Sequence, residues 1–179
     1  MTVFEGGGEP PQSPGRCAIG VQFIHGLEGS PQGRKAQVLA QTFNTVTPTM
    51  DTSDFEGCVV VQRDALRRFQ PEVLVGSSFG GAVAVALLAR GLWRGPTLLL
   101  AQAAVRYGHS ALPPDVPVLL VHGQADEIID PQDSRALAST GTPSLVRLLE
   151  VADDHSLRAS VEAGHLVEWV KQVHRMVSQ

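Results

Sequence analysis

Short apolar runs recur along the chain between segments of helical periodicity, and this alternation restricts the fold more than any single residue does. Ala18–Ile24, Val73–Val75, Thr97–Ala101 and Val116–Val121 are too short for helices and too apolar for strands with one wetted face. Strands of this kind are buried on both sides. Buried strands run parallel, and the connection between parallel neighbours is a helix packed on one face or the other.

The intervening segments supply those helices. Ser30-Pro31 is an N-cap followed by proline at the first helical position, which predicts a helix to about Phe43. Thr45–Thr47 is a weak strand. Val60, Val61, Ala65, Leu66 and Phe69 fall at helical spacing over residues 57–69, and Pro71 stops that helix. Phe79–Arg90 is a helix closed by Gly91. Asp130-Pro131 caps a helix to about Ala138. Leu145–Val151 is a last strand, and a helix from about Ser160 to Val177 ends the chain. Residues 5–16 are turn formers with almost nothing to bury, so residues 1–16 read as a flexible Gly/Pro-rich leader to a single domain over 17–179.

Composition removes several classes of function. A net charge of −4 over 179 residues implies no broad basic face, so nucleic acid is not an expected partner. Cys17 and Cys58 are too few for a disulfide scaffold or a thiolate zinc site. The start lacks a basic stretch followed by an apolar run, and no apolar stretch is long enough for a bilayer, so the expectation is a cytoplasmic chain without membrane insertion.

Directly after Val73–Val75 comes Gly76-Ser77-Ser78-Phe79-Gly80-Gly81, a G-x-S-x-G sequence between a buried strand and an Ala/Val-rich helix. A serine hydroxyl becomes a nucleophile only if it is held clear of its own backbone within reach of a base. A strand that turns abruptly into a helix does this, and small neighbours let it turn. Ser78 is therefore the candidate nucleophile, and Phe79 N–H, at the start of the helix, can face an oxyanion. A base and an orienting acid must follow, in the order acid then base for this kind of fold. Asp126 lies just past Val116–Val121, and His155 just past Leu145–Val151. Both are at carboxyl ends of strands about 4.8 Å apart, where open α/β sheets gather their sites. The first strand ends in His25-Gly26-Leu27, and Leu27 N–H is the candidate second oxyanion donor.

Four segments together resemble the α/β-hydrolase superfamily, and within it a group of short bacterial esterase-like hydrolases without a lid. They are His25–Pro31, Gly76–Gly81, Gly123–Asp130 and Asp154–Ser156, matching H-G-[FL]-x-[GS]-S-P, G-S-S-[LF]-G-G, G-x-x-D-x-[IV]-[LI]-D and D-H-[SA] in that order. The resemblance covers about residues 18–175. It implies Ser78 as nucleophile, Asp126 as acid and His155 as base, with no cofactor and no metal. The superfamily's usual first two strands have no counterpart, and the 14 residues joining Ala101 to Val116 leave no room for a cap domain.

Other residues compete for these roles. Asp130 precedes Pro131 and suits a helix N-cap, while Glu127 is Asp126's neighbour. His165 and His174 fall within the last helix. His25 and His122 each precede glycine at a strand end, where histidine braces a loop more often than it reacts. Asp153-Asp154 beside one catalytic histidine makes a poor metal site, and Cys58 reads as a buried inert thiol.

The expected fold is α/β: a three-layer α/β/α sandwich on six mostly parallel strands in order 2-1-3-4-5-6. The expected activity is hydrolysis of a small carboxylic ester through an acyl-enzyme. An acyl-CoA thioesterase uses the same triad but needs a basic surface at the mouth, which the sequence does not clearly show. A non-catalytic binding protein on this fold would have a damaged triad. Leu27, Glu28, Phe79, Leu157 and the 102–114 segment, with Tyr107 and Leu112, are the expected walls of the site.

Overall fold

The computed structural model describes residues 17–176; the expected leader and the chain's last three residues lie outside the described residues. Six strands form one all-parallel sheet in the order β2-β1-β3-β4-β5-β6. In chain order the elements are β1 (Cys17–Ile24), α1 (Arg34–Thr42), β2 (Phe43–Val46), α2 (Phe55–Phe69), β3 (Val73–Ser77) and α3 (Phe79–Ala89). They continue with β4 (Thr97–Leu100), a 3-10 turn (Ala104–Tyr107), β5 (Val118–Gly123), α4 (Pro131–Ser139), β6 (Val146–Val151), α5 (Arg158–Glu162) and α6 (His165–Arg175).

The central strands are buried on both faces, and alternate residues enter opposite cores. Leu74, Leu99, Val118 and Leu120 pack with α2, α3 and α4 on one side. Val73, Val75, Leu98, Leu100, Leu119 and Val121 pack with α1 and α6 on the other. This two-sided burial is why these runs show no polar alternation, and it gives the three layers. Helix α3 lies against the sheet centre with all but its last residue buried, which explains its unbroken run of Ala, Val and Leu. Helix α6 instead buries Leu166, Trp169, Val170 and Val173, one stripe at helical spacing. No helix among the described residues is long and apolar enough to cross a membrane.

Strand β2 is Phe43–Val46, not Thr45–Thr47, and β5 starts at Val118, not Val116; three further differences from expectation have a visible cause or consequence. Helix α1 begins at Arg34, not at Pro31: Ser30 spends its carbonyl on Gly33 N–H (3.0 Å) and its hydroxyl on Gln32 N–H (3.2 Å), closing a turn before the helix starts. The single final helix is two, because Gly164 takes φ +84°, a left-handed conformation that no α-helix contains. Strand β5 runs on to Gly123, which places His122 inside the sheet instead of in the loop beyond it.

Candidate active site

Ser78 sits alone between the last residue of β3 and the first of α3, at φ 54°, ψ −115°. A side chain in this region is strained, and the neighbouring glycines show what permits it. A Cβ on Gly80 would strike the Ile24 carbonyl, and one on Gly81 would come within 2.7 Å of Gln102 Cβ. Helix α3 therefore begins so close to β1 and the β4 loop that only glycine fits. The Ser78 backbone is pinned as well: its N–H donates to Leu100 O (2.9 Å), and its carbonyl accepts from Gly81, Ala82 and Ala103 N–H.

The loops after β5 and β6 bring the other two residues to it. His155 Nε2 lies 3.0 Å from Ser78 Oγ, and His155 Nδ1 lies 2.8 Å from Asp126 Oδ2. With Nδ1–H donating to the carboxylate, Nε2 is free to accept the serine proton. Asp126 Oδ1 accepts the N–H groups of Ile128 and Ile129, both at 2.9 Å. Burial pushes the Asp126 carboxyl up, but the Ile129 N–H, the His155 imidazole and the Ile128 N–H outweigh it and hold the group below the ordinary carboxylate value. Asp126 is thus a carboxylate at neutral pH.

The three residues singled out from the sequence meet; of their competitors only His122 touches one of them, with Nε2 3.0 Å from Asp126 Oδ2. Asp130 accepts from Gln132 N–H (2.9 Å) as the N-cap of α4. His165 opens α6, and His174 pairs with Glu72 at 3.1 Å. Asp153 and Asp154 spend their carboxylates on loop backbone: Asp153 accepts from Asp154 and Ser160 N–H, Asp154 from Ser156 N–H. Cys58 is buried, and its thiol is pushed up by burial and then by Asp54 and Asp51. His25 bonds the Gly26 carbonyl (2.9 Å), a brace within its own turn.

That turn lies against Ser78, since a Cβ on Gly26 would be 3.4 Å from Ser78 Cβ. The Leu27 and Phe79 N–H groups have no acceptor among the described residues. A cavity of about 770 Å³ opens over Ser78 and His155. Its apolar lining is Phe23, Leu27, Ile128 and Val161, and its polar wall carries Glu28, Arg34, Lys35, Arg158 and Glu162. Leu27 and Ile128 are 54% and 56% exposed at its rim. The wall expectation is corrected here. Phe79 stacks edge-on against Phe55 and Tyr107 behind the site, and Leu157 and Leu112 are core residues. Leu27 and Glu28 alone of that set line the cavity.

Sequence reasoning missed Lys35. Its ammonium donates to the Ser156 carbonyl (2.6 Å), tying α1 to the loop that carries His155. Burial lowers its pKa from the ordinary lysine value, against the opposing pull of Asp154 and Asp153. Gln102 and Ser134, buried behind Asp126, were also missed. Nothing in a lone lysine, glutamine or serine within an ordinary helix or loop signals such contacts.

No protein-family profile matches the chain. Phytyl ester synthase 1, chloroplastic, of Arabidopsis thaliana is 32% identical over 136 aligned residues, covering 65% of this chain. The chain spans about a fifth of that protein's length, 19%. Among solved structures, an α/β-superfamily hydrolase from Xanthomonas campestris pv. campestris superposes with a TM-score of 0.69 at 24% identity, covering 86% of this chain and 98% of its own. Est1E from Butyrivibrio proteoclasticus gives 0.71 at 16% identity, covering 95% and 92%. A thermophilic esterase from Thermogutta terrifontis gives 0.67 at 15%, covering 89% and 92%. These likenesses establish the fold: the chain has the α/β-hydrolase fold.

Proposed function

We propose that this α/β-hydrolase-fold chain is a serine hydrolase that cleaves small carboxylic esters through an acyl-enzyme. One observation carries the reading: an unbroken hydrogen-bonded line from Ser78 Oγ through His155 to Asp126, at 3.0 and 2.8 Å, opening on a cavity. Ser78 attacks the ester carbonyl while His155 Nε2 takes its proton. The oxyanion so formed accepts from Leu27 and Phe79 N–H, both without an acceptor among the described residues. Protonated His155 gives its proton to the departing alcohol, then removes one from the water that splits the acyl-enzyme. Asp126 holds the Nδ1–H tautomer and stabilises the imidazolium without taking the proton. The substrate is a small-molecule ester, and no cofactor is part of the scheme.

A second reading has its own observation. Arg34, Lys35 and Arg158 all line the cavity, the basic feature that a thioester on an anionic carrier such as CoA would need. Two of these cations are already engaged: Arg158 pairs with Glu162 at 3.0 Å, and Lys35 holds the Ser156 carbonyl. That leaves Arg34, which favours the simple ester. The same acyl-enzyme could pass its acyl group to an alcohol instead of water, in line with the name of the plant relative. A binding protein that kept only the fold would not preserve the three-residue geometry.

A fluorophosphonate probe followed by peptide mapping tests the reading. Ser78 alone is expected to label quickly, and Ser78→Ala is expected to lose both label and turnover while melting as the parent does. Labelling at Ser77 or Ser156 instead would remove Ser78 from its role. Comparing 4-nitrophenyl esters with acyl-CoA thioesters, in water and with added alcohol, separates ester hydrolysis, thioester hydrolysis and acyl transfer.

A further inference from the structure

We infer that His122 is a positioning residue for the acid–base pair, acting through Asp126 and held in register by a buried arm of Ser134 and Gln102. The inference rests on the roles proposed above for Asp126 and His155. His122, Ser134 and Gln102 are each 0% exposed, so bulk solvent reaches none of them.

The partners fix where every proton lies. Gln102 Oε1 accepts Ala104 N–H at 2.7 Å, so its amide nitrogen is the end that faces Ser134 and donates to Oγ at 3.0 Å. Ser134 then has its own hydroxyl proton to give, and His122 Nδ1 lies 2.7 Å away to accept it. The His122 ring proton is therefore on Nε2. That nitrogen bonds the Ile129 carbonyl at 3.1 Å, and Asp126 Oδ2 lies against it at 3.0 Å. A proton on Nδ1 instead would leave the Nε2 lone pair facing two acceptor oxygens in a dry interior, which is repulsive.

The result is a carboxylate held by three hydrogen bonds, with the His122 ring against its second oxygen. Oδ1 takes the Ile128 and Ile129 N–H groups, while Oδ2 lies between His155 Nδ1 and His122 Nε2. Ile129 is itself held at both ends, its N–H by Asp126 and its carbonyl by His122. The arm also closes on the nucleophile. Ala103, next to Gln102, donates its N–H to the Ser78 carbonyl at 3.1 Å. Polar contacts thus run in a ring from Ser78 Oγ through His155, Asp126, His122, Ser134 and Gln102 back to the Ser78 backbone. Without His122, Asp126 can rotate about its remaining bonds and carry His155 with it. A displacement of about 1 Å in such a group costs on the order of 10² in rate.

The test is a double-mutant cycle. His122→Met, which has no donor, and His122→Gln, whose amide N–H can reach the position of Nε2–H, are made in the parent and in Asp126→Asn. Turnover of 4-nitrophenyl acetate is resolved into kcat and KM, with thermal melting as the check on folding. His122→Met is expected to lower kcat by about 10² with KM little changed. His122→Gln is expected to recover most of that loss. In the Asp126→Asn background, His122→Met should cost little more, because the group it positions is already disabled. Nitrogen-15 shifts of the parent's His122 should show the ring proton on Nε2 and none on Nδ1.

Full additivity with Asp126→Asn, no rescue by folded His122→Gln, or a proton on Nδ1 overturns the inference. If His122→Met does not fold, Ser134→Ala takes its place in the cycle and the nitrogen shifts stand unchanged. Full activity in Asp126→Asn alone would overturn the proposed role of Asp126. An inactive Asp126→Asn with an additive His122→Met removes only the role of His122.

Discussion

Ser78 is held in a backbone conformation that serine does not choose for itself. Strain of this kind costs of order 1–3 kcal/mol and persists only where the surroundings over-determine it. Here they do: three N–H groups hold its carbonyl, and the glycines after it allow α3 to start against the Ile24 carbonyl. Asp126 is over-determined in the same way, which separates it from its neighbour Asp130. Asp126→Asn is expected to cost about 10⁴ in kcat by presenting His155 with a donor and the wrong tautomer. Asp130→Asn removes an N-cap carboxylate that asparagine replaces well, so its cost is well under the ~1 kcal/mol of losing a cap, with activity kept. If Asp130→Asn is the inactive one in a kcat comparison, the two roles are reversed. Asp126 also gives stability a pH dependence. Its folded pKa is below the unfolded value of about 3.9, so its contribution is complete above that value and is lost as pH falls through the lower folded one. The stability gap between the parent and Asp126→Asn, measured by urea unfolding, should therefore narrow from pH 7 to pH 3. A gap that widens in acid would contradict the depressed carboxyl.

At the scale of elements, what was legible in the sequence was what the backbone alone decides. The strands could be read because burial on both faces removes polar residues from them. That Ser78, Asp126 and His155 meet could be read because each follows the carboxyl end of a strand, and parallel strands place those ends together. Long-range contacts between side chains that do not sit at strand ends in this way could not be read. Lys35 reaches Ser156 across 121 positions, and Gln102 reaches Ser134 across 32. Such partners depend on packing that no local pattern encodes. The helix ends failed for a different reason. Ser30-Pro31 is a sound start signal, but Ser30 closes a turn with Gly33 instead. Gly164 in a run of helix formers reads as tolerated, yet it is a left-handed hinge between α5 and α6. A Cβ there meets nothing within 4 Å, so space is not the constraint and backbone conformation is. Gly164→Ala is therefore expected to lower stability by about 1–2 kcal/mol, the cost of a left-handed alanine. Activity per folded molecule should be unchanged. A variant as stable as the parent by urea unfolding would show that α5 and α6 can join into one helix.

The molecule as a whole presents its candidate site openly, and under the proposed ester hydrolysis this bears on which esters would be favoured. The polypeptide between β4 and β5 forms one 3-10 turn, Ala104–Tyr107, whose Tyr107 is packed against Phe55 and Phe79 and does not reach over Ser78. Arg106 donates to the Ile128 carbonyl, which fastens this segment to the rim of the cavity. The apolar residues Phe23, Leu27, Ile128 and Val161 can cover only the start of an acyl chain. The same cavity is also lined by Arg34, Lys35, Glu28, Arg158 and Glu162, and a methylene pressed against these must strip water from charges. Each CH₂ removed from water gains about 0.8 kcal/mol only while it meets apolar surface. Past that point the gain in kcat/KM stops. We therefore expect kcat/KM on 4-nitrophenyl esters to peak at roughly two to six acyl carbons and to fall or stay flat beyond, the pocket's discrimination being set by how many methylenes it encloses. The series from acetate to palmitate, each below its micellar concentration, measures this directly. A continuous rise to palmitate would require an apolar surface running past Ile128 and Leu27, and would shift the balance toward a long-chain acyl donor bound with its carrier on the basic wall.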